Sequence, residues 1–161
     1  MAITDKILLN TDVLLHAADS ASRLHQQAYA VREMAVRGDI KACVSSNVLC
    51  ELLVALTSKF HVWNPLSISD AIGEYEKYVN LKSITKITQL PETFKTLNIL
   101  IKEYGLYGSD IKLAEHIATM IDNRVHNICT FRQEEYEKFK EINVLNPFEF
   151  DNRQTLIQFG E

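Results

Sequence analysis

Short apolar runs alternate along this chain with longer stretches whose apolar residues fall three and four apart. That alternation constrains its fold more than any other feature. Ile7 to Leu9, between Lys6 and Asn10, reads as a strand buried on both faces. Ser20 to Arg37 places Leu24, Ala28, Val31, Met34 and Ala35 on a helical stripe that stops at Gly38-Asp39. Ile40 to Val44 gives a second strand, and Ser45-Ser46-Asn47 caps a helix predicted to run through Phe60.

The same grammar continues. Ser67 or Ser69 caps a helix carrying Ile72, Tyr75 and Val79, and Ile84 to Ile87 is a weak strand. Pro91-Glu92 opens a helix with Phe94, Leu97, Leu100, Ile101 and Tyr104, closed at Gly105. A helix from Gly108-Ser109-Asp110 to Asn123 follows, then strands at His126 to Thr130 and Ile142 to Leu145. Strands alternating with helices predict an α/β fold, a mostly parallel sheet of about five strands covered on both faces.

Composition narrows the function classes. The chain has 161 residues, 47% of them hydrophobic, with a formal charge of -4, so no basic field covers the whole surface. No apolar stretch approaches the length of a bilayer span, and no secretory leader is legible, which predicts a cytoplasmic protein with no membrane attachment. Cys43, Cys50 and Cys129 read as buried, reduced thiols, and the scattered histidines His16, His25, His61, His116 and His126 form no zinc pattern. No glycine-rich phosphate loop follows any strand. In a parallel sheet, ligands gather at the carboxyl ends of the strands, here Asn10-Thr11-Asp12 and Thr130-Phe131-Arg132.

Those segments resemble the motifs of the PIN domain family. Residues 7–15, an apolar strand running into Asn10-Thr11-Asp12 and a helix start, resemble the opening signature, usually Asp-Thr-Asn. Residues 44–51, ending in Glu51, resemble the second motif; residues 111–120 the third; residues 128–136 the fourth; and residues 142–147 the terminal strand. The resemblance runs in family order from residue 6 to about 147 and implies a three-layer α/β/α PIN-like domain over 1–147. Family members are typically metal-dependent ribonucleases, and the small ones are often VapC-type toxins paired with an antitoxin. The resemblance therefore implies Mg²⁺ or Mn²⁺, an RNA substrate and an antitoxin-like protein partner; it also permits a homodimer.

The family's acids hold divalent cations with hard oxygen ligands while a water is activated and the phosphate neutralised. Here the acidic positions carry Asn10, Glu51, Leu113 and Arg132, which sum to no net charge. Only Glu51 is retained, and Asp12 stands where the family usually has Asn. Added or lost unit charges at about 4 Å are worth roughly 4 kcal/mol at an effective dielectric near 20, so the expected cation site is degenerate.

Each remaining candidate has two readings. Asp12 either turns toward a weak metal site or caps the following helix. Glu51, on a helix rich in Leu and Val, needs a partner, either a metal ion or Arg132, with Arg132 favoured. Asp110 lies within roughly 60° of the Leu113 face and either replaces the lost acid or caps its own helix. His116 returns to the Leu113 side as a packed residue or a general base, Glu115 reads as solvated, and in Glu135-Tyr136 the tyrosine packs while Glu135 caps or is solvated.

Two functional expectations follow. One is a catalytically weakened PIN-like module that binds RNA or a protein, needing no cofactor. The other is an active VapC-type ribonuclease with catalytic Glu51, Asp12 and Asp110, and with Glu51 and Asp12 as metal ligands. The triple departure at Asn10, Leu113 and Arg132 favours the module. The apolar tail, 148–161, is expected to dock on its own domain or on a dimer partner.

Overall fold

A computed structural model describes residues 5–150. Five strands, β1 (Ile7–Leu9), β2 (Ala42–Ser45), β3 (Thr85–Ile87), β4 (Asn127–Cys129) and β5 (Asn143–Leu145), form one sheet in the order β3-β2-β1-β4-β5. Every pairing is parallel, with Ile7 opposite Ala42 on one side and opposite Asn127 on the other. The helices are α1 (Thr11–Ala18), α2 (His25–Arg37), α3 (Ser46–Leu56), α4 (Ile68–Val79), α5 (Thr93–Tyr104), α6 (Asp110–Asp122) and the short α7 (Gln133–Tyr136).

Alternation along each strand divides the interior into two cores. Ile7, Leu9, Ala42 and Val44 point to the layer of α1 to α4 and pack with Val13, Val31, Leu52 and Tyr78. Leu8, Cys43 and Ile128 point the other way, against Leu100, Ile117, Met120, Tyr136 and Phe139. The central strand β1 is accordingly apolar at every position, and all residues of β1, β2 and β4 are buried, as a sheet covered on both faces requires.

The punctuation residues act as their chemistry dictates. The Ser45 hydroxyl accepts from the Val48 N–H at 3.1 Å and that of Ser67 from the Asp70 N–H at 3.1 Å, so each serine starts its helix. Gly38 and Gly105 close α2 and α5 in the left-handed region, with φ of 78° and 59°. α3 stops at Leu56 instead of Phe60, because Thr57 turns its hydroxyl back onto the Leu53 carbonyl and ends the ladder. α7 is a single turn too short to leave a periodic signal.

Two expectations need correction. Cys50 is exposed; only Cys43 and Cys129 are buried, and burial pushes the Cys43 thiol up to about 12. Glu115 is not merely solvated, since it accepts from the Gln89 side-chain amide at 2.7 Å. Of the tail, Phe150 is buried in the α1–α4 core and the Phe148 ring meets Phe131 edge-on at 6.0 Å; residues 151–161 lie outside the described residues. Among the described residues, no helix is long and apolar enough to cross a membrane.

Candidate functional site

β1 lies between β2 and β4, so the chain leaves its carboxyl end in one direction and returns beside it from the other. A crevice opens there for topological reasons. A cleft of about 450 Å³ occupies it. Its floor is Asn10, Thr11 and Asp12. One wall is α3, through Cys50, Glu51, Val54 and Ala55; the other is α6, through Ser109, Lys112, Leu113 and His116. The α6 residues are spaced i, i+3, i+4 and i+7, which is one face of a helix. His61 and Arg132 complete the rim.

Asn10 is buried at the N-cap position of α1, yet its side chain does not cap the helix. Its amide donates to Thr130 Oγ1 at 3.2 Å and to the Tyr136 hydroxyl at 3.3 Å, tying β1 to β4 and α7. Asp12 continues this network. Its Oδ2 accepts from Thr130 Oγ1 and from the Phe131 N–H, both at 2.9 Å, and its Oδ1 accepts from the Val13 N–H at 2.8 Å. Burial raises its carboxyl above the ordinary range, against the lowering effect of these hydrogen bonds and of His16. Asp12 is thus a clasp between α1 and the end of β4.

Glu51 is held from both sides. Thr11 Oγ1 donates to Oε2 at 2.7 Å and His116 Nε2 to Oε1 at 3.1 Å. Burial works to raise its carboxyl, but the hydrogen bond and charge of His116, the Thr11 hydroxyl and the Lys112 ammonium outweigh it and hold Glu51 below the usual value. His116 is 4% exposed, and its Nδ1 has no hydrogen-bond partner among the described residues.

The expected pairing of Glu51 with Arg132 is not formed. The Arg132 guanidinium pairs with Glu135 instead, Nε to Oε1 at 3.0 Å and Nη2 to Oε2. The reason is local: Glu135 is three residues away on the turn that Arg132 itself starts, so the bond needs no reach across the cleft. Asp110 is placed away from the cleft, where it pairs with Lys138 at 2.7 Å; the N-cap of α6 is Ser109. Leu113 is 6% exposed and packs in the second core, so this wall offers apolar surface where an acid would stand.

Sequence reasoning placed Thr11 and Thr130 at the strand ends but assigned no role to them or to Lys112. Thr11 and Thr130 are small hydroxyls whose roles arise only when distant acids are brought to them. Lys112 was legible as the neighbour of Leu113 but carried no motif of its own. The cleft therefore holds two carboxylates, Asp12 and Glu51, beside two cations, Lys112 and Arg132. Among the described residues no three His, Cys, Asp or Glu side chains are grouped to hold a metal ion. Each of the four carboxylate oxygens of Asp12 and Glu51 accepts a hydrogen bond, so the cleft offers a divalent cation two engaged carboxylates against the two positive charges of Lys112 and Arg132.

No family model matches the sequence, and no curated protein matches it either. Solved structures do match in shape. The VapC20 toxin of Mycobacterium tuberculosis, which cleaves the sarcin–ricin loop, superimposes with a TM-score of 0.61 at 14% identity, over 84% of this chain and 98% of that one. VapBC2 from Rickettsia felis, bound to a DNA fragment from its promoter, gives 0.60 at 15% identity over 88% and 98%. A toxin–antitoxin complex from Klebsiella pneumoniae gives 0.57 at 16% identity over 88% and 97%. At such identities the likeness concerns the fold, and the chain has the PIN-like α/β/α fold of these toxins.

Proposed function

We propose that this protein is a PIN-like module, related to VapC-type ribonucleases, whose metal-dependent hydrolysis is lost or strongly weakened and whose cleft serves for binding RNA or an antitoxin-like protein. The observation that carries this reading is the state of the two acids. Glu51 is fastened by Thr11 and His116, and Asp12 by Thr130, Phe131 and Val13, while Lys112 and Arg132 supply positive charge on the rim. A divalent ion would meet carboxylates whose charge is already engaged by protein donors, and it would sit near both cations. Function in the cytoplasm, as a homodimer with or without a partner chain, accords with this reading.

The test is to follow single-stranded RNA with the full chain in Mn²⁺ and in a chelator, beside thermal unfolding at rising Mg²⁺ or Mn²⁺. The expected result is no metal-dependent decay and no saturable rise in melting temperature, because an ion that does not bind the native state supplies no linkage stabilisation. Metal-dependent decay in the wild type that Glu51→Gln abolishes would overturn the reading in favour of an active nuclease with a rearranged site.

A further inference from the structure

We infer that a second cavity, between α2 and α4, is a binding site for a small neutral molecule that carries an amide, or an equivalent pair of C=O and N–H groups, on an apolar body. α2 leads into β2 and α4 into β3, so the carboxyl ends of both helices stand at the amino edge of the parallel sheet, opposite the cleft. The cavity shares no lining residue with the cleft, so the inference does not depend on how the cleft is read.

On α2, Arg32 and Val36 stand one turn apart; across from them are Tyr78, near the end of α4, and Leu81 just beyond it. The ion pair that spans the two helices, Arg32 Nη1 to Glu74 Oε2, is open at 4.0 Å, and a space of about 330 Å³ is left beside it. One water needs only about 10 to 15 Å³ of such space, whereas small-molecule sites begin near 300 Å³.

Three polar groups here are poorly satisfied. Tyr78 is 1% exposed, and its hydroxyl has no hydrogen-bond partner among the described residues. Arg32 and Glu33, both in the cavity lining, act on that phenol through their charges, which sets the hydroxyl beside the cavity. Glu74 Oε2, one turn earlier on the same face of α4, is also buried without a partner, while its other oxygen is taken by Lys77 at 2.6 Å. The Arg32 side chain is 13% exposed and lies over the Tyr29 ring at 4.6 Å. Its nearest carboxylate oxygens, on Glu33 and Glu74, are 3.6 and 4.0 Å away, both beyond hydrogen-bond length. Polar groups left unpaired under cover are costly, and a ligand that pairs them gains by it.

The charges of the walls decide the kind of ligand. Arg32 and Lys77 are matched in the lining by Glu33 and Glu76, so the cavity has no net charge to offer an ion. An anion would gain Arg32 but face the glutamates, and a cation would gain the glutamates but face Arg32. A neutral amide meets neither obstacle. Its carbonyl accepts from the Arg32 guanidinium and the Tyr78 hydroxyl, its N–H donates to a glutamate oxygen, and its apolar body lies on Val36 and Leu81.

The experiment adds benzamide, benzoate and benzamidine, three probes of one shape that are neutral, anionic and cationic, to the full ¹⁵N-labelled chain and follows its backbone amide resonances. Benzamide is expected to move those of Val36, Tyr78 and Leu81 saturably, with a Kd of about 10 mM or tighter for so small a probe, and to leave Glu51 and Lys112 in the cleft unmoved. Benzoate and benzamidine should each bind about 10-fold more weakly or worse. Arg32→Met, which keeps the hydrocarbon stem, should weaken benzamide by about 10-fold or more through the loss of a charged donor. Tyr78→Phe should weaken it by about 5-fold and unfold at the same or a higher denaturant concentration, because an unpaired hydroxyl lends the fold nothing; this variant keeps the test decisive if Arg32→Met does not fold. Lys102→Ala, on the exposed face of α5, should change nothing. The absence of a saturable shift, an ion bound as tightly as benzamide, or an affinity indifferent to Arg32→Met or to Tyr78→Phe would each overturn the inference and leave the cavity to ordered water. None of these outcomes bears on the RNA and metal tests of the cleft.

Discussion

Thr130 Oγ1 donates to Asp12 Oδ2 at 2.9 Å, and that bond fastens the first turn of α1 to the end of β4. Thr130 is fully buried and fully used: its hydroxyl also accepts from the Asn10 amide at 3.2 Å and from the Arg132 N–H at 3.1 Å. An acid in such a setting is structural. Asp12→Ala should therefore destabilise the fold by about 1 to 3 kcal/mol, because it strands the buried Thr130 hydroxyl and the Phe131 N–H. Chemical denaturation measures this directly. A variant as stable as the wild type, or more so, would mean that Asp12 is kept for a ligand and not for the fold.

Stability between about pH 3 and pH 6 should reflect two opposed carboxyls. Glu51 is held below its ordinary 4.5, so the unfolded chain binds its proton first; this contribution is present above that value and is lost as pH falls through the folded one. Asp12 is raised above its ordinary 3.8, so the sign reverses, and its contribution fades as pH rises through the folded value. In urea titrations Glu51→Gln should flatten the acid loss of stability, and Asp12→Asn should steepen it. The same slope in both variants and the wild type would contradict these assignments.

Thr11 and Glu51 should be energetically coupled. A double-mutant cycle of Thr11→Val and Glu51→Gln is expected to give an interaction of roughly 1 kcal/mol, reduced from the value for a fully buried charged bond because the Glu51 side chain is 40% exposed. Additive effects would show that the 2.7 Å contact carries no net energy.

Arg132→Ala should cost less than about 1 kcal/mol of stability, since its bond to Glu135 is an exposed pair within one turn. Thermal or chemical unfolding reads this out. A larger loss would place the guanidinium in the framework of the cleft and not on its rim.

Rebuilding the acidic site should be costly before it is useful. Asn10→Asp, Leu113→Asp and Arg132→Asn together would remove an apolar core contact and bury new charge, lowering stability by about 3 kcal/mol or more in chelator. Mn²⁺ should restore much of this saturably, by binding only the native state. A triple variant that folds and ignores Mn²⁺ would show that the walls of the cleft, and not only its ligands, have departed from a metal site.

The sequence by itself determined what depends on neighbours within a turn or two. β1, β2 and β4 read as buried strands because short apolar runs form them, and Ser45, Ser67, Gly38 and Gly105 marked helix ends through hydrogen bonds and left-handed backbone that they make locally. The convergence of Asn10, Glu51, Leu113 and Arg132 on one crevice was legible too, since a parallel sheet sends strand ends to one edge. Partner choice was not. Arg132 took Glu135 over Glu51, Asp12 took Thr130 and Phe131 over a place as a helix cap, and Asp110 took Lys138 outside the cleft. A charge takes the donor or acceptor that reaches it at least cost in side-chain order, and partners as far apart in the chain as Asp12 and Thr130 come into reach only when the sheet order β3-β2-β1-β4-β5 sets β4 beside β1.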